Sequence, residues 1–150
     1  MRTFALAGGV SMLLVAAMPL EGLAVDTQTN VESVDLTSVR RKVKAKDWPA
    51  AIEELKPIIA KVDNADAYNL YAFSLRNTGD YKQAFTYYGK ALDFDANHKG
   101  AHEYLGELFV MTNNMSKANE HLAILEKLCP SGCEELDDLR KAIAAGPKNN

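Results

Sequence analysis

The sequence predicts an all-α fold, an α-solenoid of antiparallel helix pairs with about seven helices. Three observations lead there. Related segments return about 34 residues apart. Inside each segment apolar residues recur at three- and four-residue spacing, one face of a helix. Short polar turns carrying glycine or asparagine break the apolar stripes. Composition agrees with one folded domain: 150 residues, 47% apolar and 25% charged. Those values exclude disordered, collagen-like and polytopic membrane chains. A net charge of −3 gives no global pull toward nucleic acid or anionic lipid.

Residues 1–24 open with Arg2, continue through an apolar run at 4–20, and end with small Gly22 and Ala24. That order reads as a secretory signal peptide cleaved after Ala24. A spanning helix wants about 20 unbroken apolar residues. This run is shorter and is interrupted by Gly8, Gly9 and Pro19. Residues 25–32 are polar and aperiodic and read as a flexible leader.

The domain itself is expected over residues 33–145, with repeats at 33–64, 65–98 and 99–130. The first repeat has a helix at roughly 33–46, carrying Val34, Leu36, Val39 and Val43. Its second helix follows Asp47 and contains Pro57, which predicts a kink or an early end. In the second repeat Tyr68, Tyr71, Ala72 and Leu75 share one face. Gly79 then suits a positive φ, and Asp80 can cap the next helix. Tyr81, Ala84, Phe85, Tyr88, Ala91 and Leu92 form the next stripe. Placing Ala118 on Ala84, 34 residues apart, sets Phe109 on Leu75 and Leu122 on Tyr88. Ala51 precedes Ala84 by 33. The alanine is small because two helices approach there, and a larger side chain would overpack the contact. A seventh helix, at about 133–145, presents Leu136, Leu139 and Ile143, with acids at its start and bases after them. It is expected to seal the last repeat, leaving residues 146–150 as a disordered tail.

These residues resemble the tetratricopeptide repeat. His102-x-x-Leu105-Gly106-x-x-Phe109 is similar to the first half of its pattern, with histidine in place of the usual tryptophan. Gly79-Asp80-Tyr81-x-x-Ala84-x-x-x-Tyr88-x-x-Ala91-Leu92 is similar to the second half. Ala96 stands where proline is common, and Pro130 keeps it. The resemblance implies an interaction scaffold or adaptor that holds a peptide or partner protein in a concave groove. Mapped onto this sequence, the groove residues are Arg40, Val43 and Lys44 in the first repeat. The second supplies Asn69, Phe73, Arg76 and Asn77, and the third Glu103, Glu107, Val110 and Met111. Basic residues then gather at one end and acidic ones at the other. An extended acidic and apolar segment is expected against Arg40, Lys44, Arg76 and Phe73. Phe73 stands where a clamp for a terminal carboxylate needs a polar residue, so chaperone-tail binding is not expected.

Cys129 and Cys133 flank Pro130-Ser131-Gly132. In an exported chain that spacing predicts a disulfide tying the last repeat to the seventh helix. The alternative is Cu(I) binding or redox work by two soft thiolates. His98 and His102 are four apart, a spacing that can hold a metal. One lies in a linker and the other in a packing position, which favours structural roles. No nucleophile triad, phosphate-cradling loop or paired-acid site is present. The expectation is a non-enzymatic, cofactor-free protein in a bacterial periplasm, bound to protein or peptide and not to nucleic acid. After signal cleavage it is not inserted in the membrane. An uncleaved form, anchored to an envelope complex through residues 4–20, is the remaining alternative.

Overall fold

The computed structural model describes residues 34–147. The predicted signal peptide and leader, residue 33, and the tail beyond 147 lie outside the described residues. Seven helices follow one another without a strand among the described residues: α1 (Thr37–Lys44), α2 (Trp48–Ile59), α3 (Ala65–Asn77), α4 (Tyr81–Phe94), α5 (Lys99–Met111), α6 (Met115–Leu128) and α7 (Glu134–Ala145).

Polar side chains set the helix starts. Asp47, Asn64, Asp80 and Asn114 each accept a hydrogen bond from the backbone N–H three residues on, which satisfies one of the unpaired donors of a first turn. His98 does the same for α5, its Nδ1 accepting from Ala101 N at 3.1 Å. The turns inside the three pairs share one backbone shape. Lys46, Gly79 and Asn113 all have positive φ, at 59°, 89° and 59°, and each directly precedes an N-cap residue. Only glycine adopts that shape without steric cost, so lysine and asparagine are held there by the surrounding turn. The same turn at the same register is structural evidence for a repeated unit.

Pro57 lies inside α2, and the helix ends two residues later at Ile59. Proline lacks the N–H that would bond to Glu53 O, which weakens the ladder at that point. α2 has 12 residues against 14 in α4 and α6, in keeping with the expected early end. α1 is shorter than expected, spanning Thr37–Lys44.

Packing follows the same register. Ala51, Ala84 and Ala118 are fully buried, one in each even-numbered helix. Each even helix packs on the odd helix before it and the one after it. The odd helices also touch one another in sequence, α1 to α3 to α5 to α7, whereas the even helices do not. Inner helices that touch and outer helices that do not make a curved stack, so α1, α3, α5 and α7 line the concave side. The main core joins Val39, Leu55, Tyr71, Leu75, Tyr88 and Leu108. A second core joins Leu125, Cys129, Leu136 and Leu139, which seats α7 on the third pair. Among the described residues no helix is long and apolar enough to cross a membrane.

Candidate functional site

The concave side carries a cleft of about 610 Å³ between the C-terminal halves of α3, α5 and α7. Of the eleven groove residues expected from sequence, it brings together Arg76, Asn77, Glu107, Val110 and Met111. Arg40, Val43 and Lys44 sit on α1 and do not line it; Val43 packs against the core. Asn69, Phe73 and Glu103 stand nearer the N-terminal ends of α3 and α5, at the same helical faces as Arg76 and Glu107.

Arg76 is the organising charge. Its side chain is only 9% exposed. Its Nη1 donates to Glu107 Oε2 at 2.6 Å and to Tyr104 O at 3.1 Å. Its guanidinium also lies over the rings of Phe73 and Tyr104, 5.0 and 5.4 Å from their centres. Phe73 packs in turn against Trp48 of α2. Arg76 therefore joins α3 to α5, with its charge paired inside the protein. At the other end of the concave side, Arg40 pairs with Asp66 at 2.8 Å, and Asp66 also meets His98 Nε2 at 2.9 Å. The two arginines expected to face an acidic segment both have internal carboxylate partners.

Two concave polar groups have no such partner. Asn69 is buried, and its Oδ1 accepts no hydrogen bond. Its Nδ2 would lie 3.3 Å from a β-carbon added at Gly100, so α3 and α5 approach closely here. Glu103 is 7% exposed as a residue, and the oxygens at the tip of its side chain, without a hydrogen bond in the protein, keep some contact with solvent. Burial, then the charges of Glu107, Asp138 and Glu135, push its pKa up to about 8. The same burial pushes the Tyr104 phenol up to about 12 and raises that of Tyr88, whose buried hydroxyl is also unpartnered.

No protein-family model matches this chain, and no curated protein is similar enough to count as a relative.

The remaining lining residues of the cleft were not among those expected from sequence: Tyr81, then Asp138, Lys141, Ala142 and Ala145 from α7, and Gly146 just past its end. A signal for them existed. Leu139 follows Gly106 by 33 residues, so α7 continues the register of the odd helices and presents its own inner face. α7 both seals the third pair and turns that face toward the cleft.

Cys129 and Cys133 lie at disulfide distance, with sulfurs 2.13 Å apart and Cα atoms 5.8 Å apart. His98 and His102 part ways. His102 Nε2 is 3.0 Å from Ala96 O, which only accepts, so Nε2 carries the proton and donates. His102 Nδ1 then accepts from His121 Nδ1, 2.8 Å away. Among the described residues no group of three or more His, Cys, Asp or Glu side chains has the arrangement to hold a metal ion.

Proposed function

We propose that the protein is an exported adaptor of the tetratricopeptide type, binding a segment of a partner protein in the cleft between α3, α5 and α7. The observation that carries this reading is the cleft itself. About 610 Å³ falls within the usual size of a binding pocket and admits a few side chains of an extended or helical segment. Its wall is mixed: Val110, Met111 and Ala142 offer apolar contact, and Asn77, Glu107 and Asp138 offer polar contact. Met111 is 45% exposed, an uncovered large apolar side chain at the cleft edge. The recurring left-handed turn and the buried alanine of each pair support the tetratricopeptide reading. The signal-like pattern of residues 1–24 and the cysteine pair at disulfide distance support export to an oxidising compartment such as the periplasm. The role assigned is binding and scaffolding, without catalysis.

Selection of peptides from a random displayed library on the immobilised protein tests the reading. Selected peptides are expected to lose about tenfold or more in affinity for Ala142→Arg and Met111→Arg, each of which places a long side chain in the cleft. Lys82→Glu, on the outer helix α4, is expected to leave binding unchanged. Equal binding by all four proteins would count against a cleft-bound partner.

A further inference from the structure

We propose that His102 on α5 and His121 on α6 form a two-coordinate site for a soft monovalent metal ion, Cu(I) or Ag(I), bound through their two Nδ1 atoms. Neither side chain lines the cleft, and the site does not depend on the peptide-binding reading.

The two Nδ1 atoms face each other at 2.8 Å across the packed α5–α6 pair. His102 is 4% exposed. Its Nε2 donates to Ala96 O, which fixes the tautomer and aims the Nδ1 lone pair at His121. A carbonyl on the distal ring nitrogen is the outer partner by which metal-ligating histidines hold their ring and tautomer. His121 is half-buried, and its ring lies on Phe109 with centres 5.6 Å apart and planes 22° from parallel. In the metal-free protein one proton fills the gap, carried by His121 Nδ1 and donated to His102. Among the described residues that is the one hydrogen bond of the His121 ring. A metal cation takes the place of that proton. The proton passes through solvent from Nδ1 to Nε2 of His121, so both Nδ1 lone pairs meet the ion and no net proton is released.

The ligand count and the local charge select the ion. Metal–imidazole bonds are about 2 Å long, so a linear ion needs the nitrogens about 4 Å apart, roughly 1 Å wider than the hydrogen bond. The ring torsion of histidine has a broad minimum, and His121 has a side open to solvent, so turning its ring supplies the gap. Cu(I) and Ag(I), with closed d shells, accept two ligands in a line. Zinc fills a tetrahedron, and among the described residues no third His, Cys, Asp or Glu converges here. Lys117 and Glu120 are the charged groups acting on His121, and they pair with each other at 2.6 Å. The surroundings therefore supply no net negative charge. The cost of burying an ion rises steeply with its charge, so a single positive charge suits two neutral imidazoles better than a double one. Joined to each other, Cys129 and Cys133 offer no thiolate to compete for the ion.

The test uses the oxidised full-length protein. Cu(I) is presented anaerobically in a chromophoric chelator, and Ag(I) serves as the redox-inert probe. The protein is expected to take one ion per chain from the chelator. In a long-range proton–nitrogen spectrum of the histidine rings, Ag(I) is expected to move the Nδ1 signals of His102 and His121 and to leave those of His98 in place. X-ray absorption at the copper edge is expected to show two nitrogens and no sulfur. His121→Gln and His121→Phe are each expected to weaken Cu(I) binding at least about tenfold, the second with the stack on Phe109 retained. His98→Asn keeps a helix cap and is expected to bind as the parent does. Should a His121 variant fail to fold, the ring-nitrogen shifts of the unaltered protein still decide. No uptake from the chelator, unmoved Nδ1 signals or sulfur bound to copper would each overturn the site. Full affinity in both His121 variants, or an equal loss in His98→Asn, would do the same. Uptake of Zn(II) at these nitrogens in place of Cu(I) would overturn the assignment to a soft monovalent ion.

Discussion

Gly106 on α5 meets Leu139 on α7, and the contact predicts a change of sign between two backgrounds. A β-carbon built at Gly106 would lie 2.6 and 2.7 Å from the two Leu139 Cδ atoms and 3.3 Å from its Cγ. Carbon atoms in good contact sit about 3.5–4.0 Å apart, so Leu139 would have to retreat by about 1 Å. Leu139 is fully buried with Leu125, Cys129 and Leu136 around it, so the retreat forces repacking. Overpacking of this kind costs about 1–3 kcal/mol. Exchange of a helical glycine for alanine also gains about 1 kcal/mol of helix propensity. Gly106→Ala alone is therefore expected to destabilise by about 0–2 kcal/mol. Leu139→Ala alone leaves a cavity and is expected to cost about 3–5 kcal/mol. With Leu139 already truncated the added methyl has room, and Gly106→Ala is expected to stabilise by about 1 kcal/mol. The coupling between the two sites is then about 1–3 kcal/mol. Denaturant unfolding of the four oxidised full-length proteins, with m compared across them, measures it. If Gly106→Ala stabilised both backgrounds equally, the close approach of α5 and α7 would be refuted.

Three further outcomes are expected. Arg76→Ala leaves Glu107 without its cation and strips the stack from Phe73 and Tyr104; thermal or denaturant unfolding should show a loss of about 2–3 kcal/mol. His121 is held down to about 4, first by burial and then by His102, with Glu120 and Lys117 opposing each other nearby. Its folded pKa lies below the unfolded value, so stability is full above pH 6.5 and falls as pH drops toward 4, by up to about 3 kcal/mol. Comparison of unfolding at pH 7 and pH 5 checks this, and His121→Gln should flatten the difference. Removal of the Cys129–Cys133 link by Cys129→Ser/Cys133→Ser should cost about 2 kcal/mol for so short a loop, with helicity retained because Leu136 and Leu139 still seat α7.

The helices were legible in the sequence because the features that make them are local. Apolar spacing, the Asp80 cap and Gly79 at its left-handed turn can all be read without tertiary information. Lys46 and Asn113 in the same turn were not legible, because neither residue demands positive φ; the helices on either side impose it. The inner face was half legible. The resemblance to the tetratricopeptide repeat implied Asn77, Glu107, Val110 and Met111 on the groove side, but it could not show that Arg76 would be held by Glu107 and two aromatic rings. Such pairing depends on how α3 and α5 lie against each other, 31 residues apart in sequence. The burial of Glu103 was hidden for the same reason. A glutamate on a helix surface looks solvated until neighbouring helices pack around it. The pairing of His102 with His121 likewise depends on the packing of α5 against α6.

The central claim is that the inner faces of α3, α5 and α7 receive a partner segment. The most direct measurement is an amide chemical-shift map of the isotope-labelled protein during titration with a library-selected peptide. The account predicts that the largest changes fall on Asn77, Glu107, Met111 and Ala142, with little change along the outer faces of α4 and α6. Changes centred on the outer helices would contradict it, and so would a map unaltered by Ala142→Arg.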